Sequence, residues 1–176
     1  MNIDPYKQTL SHSCLAACFL MLNGKKFDEQ DEQMLALEGS RRKHQFYVSG
    51  VAIETVKSFD KNIEMYVDNK FFAKALVSAF GDESRIKVTT EKITQTLIEQ
   101  LIIKGPFICH IDIHGFGDYS HASHFIILEK KIGSFVTIID PWDGVRKRTS
   151  MMTLMESISD LKNQIKMCPL LFVLEK

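Results

Sequence analysis

The spacing of hydrophobic and polar positions along the chain changes near residue 106. Before that point it is helical. Residues 15–22, "LAACFLML", are apolar almost all round, and Asn23-Gly24 behind them is a stop signal, so this run predicts a buried helix starting near Ser13 or Cys14. Acidic and polar helical sequence continues to about 37, and the basic stretch 39–46 has no period and reads as a loop. Ser49 stands where it can cap a helix over 50–59, whose Val51, Ala52, Thr55, Val56 and Phe59 share a face. "IEMYV", 63–67, reads as a short strand and 69–80 as a helix. Behind Thr90, a possible cap, "EKITQTLIEQLIIKG" reads as a further helix that stops at Gly105-Pro106.

After residue 106 the apolar residues are β-branched or aromatic and fall in short runs. "FICHIDI" (107–113), "HFIILEKK" (124–131), "FVTIID" (135–140) and "PLLFVLE" (169–175) are predicted strands, punctuated by Gly, Asp and Pro. Between the last two, Ser150 caps an amphipathic helix, "MMTLMESISDLKNQI". Helices first and strands later, with no internal repeat or low-complexity linker, predict a single α+β domain over 1–176. Its sheet is expected to be antiparallel and C-terminal.

Composition adds limits. The 176 residues are 45% hydrophobic and 10% aromatic, enough to bury a full core. Lys plus Arg and Asp plus Glu balance at 22 each, which points to neither nucleic acid nor an anionic membrane as partner. "SRRKH" (40–44) and "RKR" (146–148) are read as solvated surface. Apolar runs are far shorter than the roughly 20 residues of a membrane span, so the chain is not expected to cross a bilayer. Cysteines at 14, 18, 109 and 168, with no secretory leader, do not resemble a disulfide framework, and the expected location is cytoplasmic.

The candidate chemistry starts from Cys14, at the polar edge of the apolar run. A thiolate is the nucleophile of acyl transfer, and it is favoured by the positive end of a helix and by a nearby imidazole. Cys18, one turn later, and Cys109 and Cys168, in or beside strands, read as core. Among the histidines, His12 and His44 lie in polar irregular stretches and read as surface. His110, Asp112 and His114 alternate along one strand face, a spacing that can hold a metal, but no further well-spaced ligand joins them and neither metal nor cofactor is expected. His124 opens an apolar strand. Hairpin pairing of 124–131 with 135–140 brings it beside Asp140, just before the turn "PWDG", where a carboxylate can fix the imidazole's tautomer. Trp142 follows as a possible shield or a packed surface ring. The glycine-containing loop "HGFGDYSHAS" (114–123) would line a cleft rim and contact substrate, with His121 as second choice of base.

Gln8, Cys14, the "HFIIL" of His124 and the "IIDPWDG" of Asp140 together resemble a papain-like cysteine peptidase. The closest likeness is to the stand-alone relatives of the peptidase domain of bacteriocin-processing exporters, which cut leader peptides after a double glycine. The resemblance spans nearly the whole chain, with residues 25–105 matching loosely. It implies a papain-like fold, with the cysteine helix packed on an antiparallel sheet. It also implies Cys14 as nucleophile, His124 as general base and then acid, Asp140 as orienter, and Gln8 with the Cys14 N–H as oxyanion donors. The substrate would be a peptide or protein. One departure is Leu15, where the family has glycine after the cysteine, a change expected to narrow the cleft or alter the approach to the thiol. The alternatives are a catalytically silent peptide-binding module on the same fold, a thiol acyltransferase, or a metal-dependent protein using His110, Asp112 and His114.

Overall fold

Residues 14–23 form helix α1 (Cys14–Asn23), and all of them are buried, which is why the run is apolar on every side. Gly24 ends it with φ 69°. The computed structural model describes residues 3–41, 43–117 and 119–175. Among these, α1 is followed by α2 (Glu29–Gly39), α3 (Tyr47–Phe59), β1 (Asn62–Val67), α4 (Lys70–Phe80), β2 (Ile86–Thr90), α5 (Gln95–Lys104) and β3 (Phe107–Asp112). A 3-10 turn (Ile113–Phe116), β4 (Ser123–Ile132), β5 (Phe135–Asp140), β6 (Val145–Ser150), α6 (Met151–Asn163) and β7 (Leu170–Glu175) complete the order. The protein is thus a mixed α+β fold built on one seven-stranded sheet.

Two helix starts differ from the sequence reading. Helix α3 begins at Tyr47, not 50, because Ser49 lies inside its first turn and donates to the Phe46 carbonyl at 2.8 Å instead of capping from outside. Helix α5 begins at Gln95, where Thr94 accepts the Leu97 N–H at 3.2 Å, while Thr90 ends a strand. Ser150 does cap α6, accepting from the Thr153 N–H at 2.9 Å.

The sheet runs β2-β1-β7-β3-β4-β5-β6. It is not purely antiparallel: β1 and β2 pair in parallel, Ile63 with Ile86 through Val67 with Thr90, with α4 as the crossover that parallel strands require. Nor is it purely C-terminal, since β1 pairs antiparallel with β7. Helices cover both faces. Phe125, Ile127, Ile139 and Phe172 join the core under α1 to α4, while the alternate positions Ile126, Leu128, Ile138 and Leu171 join a second core with Leu97 and Ile98 of α5 and Leu154 and Ile158 of α6. Burial on both faces explains the unbroken apolar runs of β3, β4 and β7. No described helix is long and apolar enough to cross a membrane.

Candidate active site

The β4–β5 hairpin delivers two of the proposed residues. Ile127 pairs with Ile139 beyond an irregularity between Leu128 and Lys130, and continuing that register sets Asp140 opposite Ile126. His124 is two positions further along, on the same side of the strand, so it reaches Asp140 diagonally. Its Nε2–H donates to Asp140 Oδ1 at 2.8 Å, and both side chains are almost fully buried.

Asp140 is saturated with donors. Oδ1 also accepts the Trp142 N–H at 2.9 Å, and Oδ2 accepts Lys147 Nζ at 3.1 Å. Burial alone would raise its pKa, but the bond to His124 and that ring's charge, with the Trp142 and Lys147 donors, hold it down at about 2. For His124 burial works downward, and it is outweighed by the bond to Asp140 and by the Cys14 side chain, which lies against the same ring. The imidazole is raised to about 9. The Trp142 indole stands edge-on to it, with ring centroids 6.3 Å apart.

Cys14 is the first residue of α1 and is nearly buried, so the free amides of the first turn and the positive helix end lie at its side chain. Ser13, at the cap position, leaves those amides alone. Its hydroxyl donates to the Leu10 carbonyl at 2.8 Å and contacts Glu32. Leu15 is fully buried in the core under α1 to α4.

Gln8 is joined to the same site through the backbone, its N–H donating to the Pro141 carbonyl at 2.7 Å, one residue past Asp140. This contact needs Gly144. With φ +70°, its absent Cβ would lie 2.7 Å from the Lys7 backbone nitrogen. The Gln8 side chain is buried; Nε2 donates to the Leu10 carbonyl at 2.7 Å and Oε1 has no partner.

Two residues that sequence reasoning missed support this arrangement. Glu32, fully buried on α2, accepts from Tyr6 Oη at 2.6 Å, the Thr9 N–H at 2.9 Å and Thr9 Oγ1 at 3.0 Å and lies against Ser13 Oγ, and so fastens the segment bearing Gln8 and the start of α1. Nothing in "EQDEQ" separates this inward glutamate from its solvated neighbours. Lys147 lay within a basic run read as surface, and alternation along β6 was its only signal.

The remaining histidines go elsewhere. His110 donates from Nδ1 to the Cys168 carbonyl at 3.2 Å, accepts from Ser123 Oγ at 2.7 Å and stacks on Phe125. Burial lowers its pKa, the Cys168 carbonyl offsets part of this, and the charge of His124 lowers it further, to about 3, so the ring is neutral. Asp112 accepts from His121 Nδ1 at 2.5 Å and from the His114 and Ala122 N–H groups, while the His114 ring donates to the Tyr119 carbonyl. His110, Asp112 and His114 therefore do not converge, because each ring already has its own partner. Among the described residues no three such groups gather to hold a metal. His121, the second-choice base, pairs with Asp112 rather than Asp140. His44 is not a surface residue: its side chain is only 7% exposed and lies 3.9 Å from Glu54. Asp118, in the loop read as substrate-contacting, lies outside the described residues.

Burial pushes the thiols of Cys18, Cys109 and Cys168 upward. A groove of about 1110 Å³ is walled by Phe46, Tyr47, Phe72, Ser123, Phe125 and Met167, and Gln8, Cys14, His124 and Asp140 are not among the residues that line it. No protein-family model matches this sequence, and no curated protein matches it.

Proposed function

We propose that the protein is a papain-like cysteine peptidase or related thiol hydrolase that cleaves a peptide or amide bond through an acyl-thioenzyme. The observation that carries this reading is the His124–Asp140 pair at 2.8 Å with Cys14 at a helix start against the same imidazole. The Cys14 thiolate attacks the carbonyl carbon, and the oxyanion is received by the Cys14 N–H and the second N–H of Gln8 Nε2. The His124 imidazolium gives its proton to the departing amine. The neutral ring then takes a proton from water, the hydroxide attacks the thioester, and the acid leaves as thiolate and imidazolium are restored.

A silent peptide-binding module is favoured by one observation, that Gln8 Nε2 is engaged by the Leu10 carbonyl and its Oε1 is buried without a partner. Thiol labelling separates the two. The hydrolase reading expects iodoacetamide at neutral pH to modify Cys14 at least about tenfold faster than the other three cysteines, with that advantage lost in His124→Ala. Equal labelling of all four, or an unchanged rate in His124→Ala, would rule out an activated thiol.

A further inference from the structure

Strand β6 carries three consecutive basic residues, and the sheet sends each to a different place. Arg146 pairs with Glu129 and donates to the Ile3 carbonyl, and Arg148 lies over the Phe135 ring. Lys147 alone turns to the site: it faces Ile138 in the β5–β6 register, and its Nζ meets both Asp140 Oδ2, at 3.1 Å, and Asp143. The buried Asp140 carboxylate is therefore divided, with Oδ1 toward His124 and the Trp142 N–H and Oδ2 toward an ammonium.

We infer that Lys147 is a positioning residue of the site, which fixes the Asp140 carboxylate so that Oδ1 faces the imidazole and, as a competing cation, limits how tightly the imidazolium is held. This rests on the thiol-hydrolase reading above, where it has a purpose. An imidazolium bound to an undivided buried carboxylate would keep its proton too firmly to pass it to a leaving amine. The groups that act on His124 directly are Cys14 on α1, Asp140 on β5 and the neutral His110 on β3; behind them Lys147 on β6 reaches Asp140, Asp143 in the turn pairs with Lys147, and Cys18 on α1 lies near Cys14 and Asp140. Removing Lys147 takes one positive charge from this set and leaves the carboxylate to the ring and the Trp142 N–H.

The test is a titration of the His124 imidazole by NMR in the full chain, its signal identified by loss in His124→Gln. Lys147→Met and Lys147→Gln are expected to raise the midpoint by about half a pH unit or more, the effect of one like charge at short range in a partly screened site. Lys147→Arg, which keeps the charge, should stay near wild type. Two neutral variants guard against one that fails to fold, and the signals of the other five histidines report the folded state. A midpoint that is unchanged or lowered in the neutral variants, or that moves as far in Lys147→Arg, overturns the inference. The readout needs no cleavage. A raised midpoint in a protein whose Cys14 shows no preferential labelling would support the role of Lys147 and tell against the hydrolase.

Discussion

Asp140 sets the pH range over which the site holds together. Its own carboxyl is lowered from an ordinary value of 3.8 to about 2, so the stabilisation it contributes is present above pH 3.8 and is lost as pH falls toward 2. His124 is raised from 6.5 to about 9, so its contribution is complete below pH 6.5 and is lost as pH rises through about 9. Urea midpoints measured across pH should therefore form a plateau between these limits. Asp140→Asn should lower the plateau and bring the alkaline decline toward neutral pH, because the imidazolium loses its counter-charge. On the proposed thiol-hydrolase reading, the same variant should slow turnover by about 100-fold or more, since the imidazole is no longer held in one tautomer. An Asp140→Asn profile that overlays wild type would mean that the ion pair has no energetic weight.

At the level of elements, the turn from β5 to β6 does more than reverse the chain. Gly144 closes it, its N–H donating to the Asp140 carbonyl at 2.9 Å, and its bare Cα lets the Lys7–Gln8 backbone approach. Gly144→Ala should cost about 1–3 kcal/mol for the positive φ and also push the Gln8 segment off Pro141. Gly133→Ala is the control, having φ +61° and open space around its Cβ position. Both should lower the melting temperature, and only Gly144→Ala should slow Cys14 labelling; equal labelling in the two would detach the turn from the site. The pairing of His124 with Asp140 was legible in sequence because both residues lie on one hairpin, where strand pattern alone brings them together. β2 ("IKVTT") and β6 ("VRKRTS") were not legible. They are the edge strands of the sheet, largely polar, and no apolar run marks them. Missing β6 hid Lys147. Glu32 was hidden for a different reason, since an inward carboxylate is recognisable only once Tyr6, Thr9 and Ser13 are seen to surround it.

Over the whole molecule the sheet is a partition between two cores, and only one of them contains Cys14. β7 lies in its interior, and two neighbouring residues of β7 test the partition. Phe172 is packed edge-to-face with Phe19 of α1 at 5.4 Å and with Phe125, next to His124, at 6.0 Å. Leu171 points the other way, into the core under α5 and α6. Both are fully buried, so Phe172→Ala and Leu171→Ala should each destabilise by about 2–5 kcal/mol. Their effects on the site should differ. Loss of the Phe172 ring opens a cavity between the cysteine helix and the histidine strand, and closely packed groups relax into such a space. Compared at a temperature where both variants are folded, Phe172→Ala should slow Cys14 labelling severalfold and Leu171→Ala should stay near wild type. If instead the two slow labelling in proportion to the stability each loses, the cysteine and histidine are held by global stability alone. The face of the sheet that carries α1 would then have no separate part in aligning them.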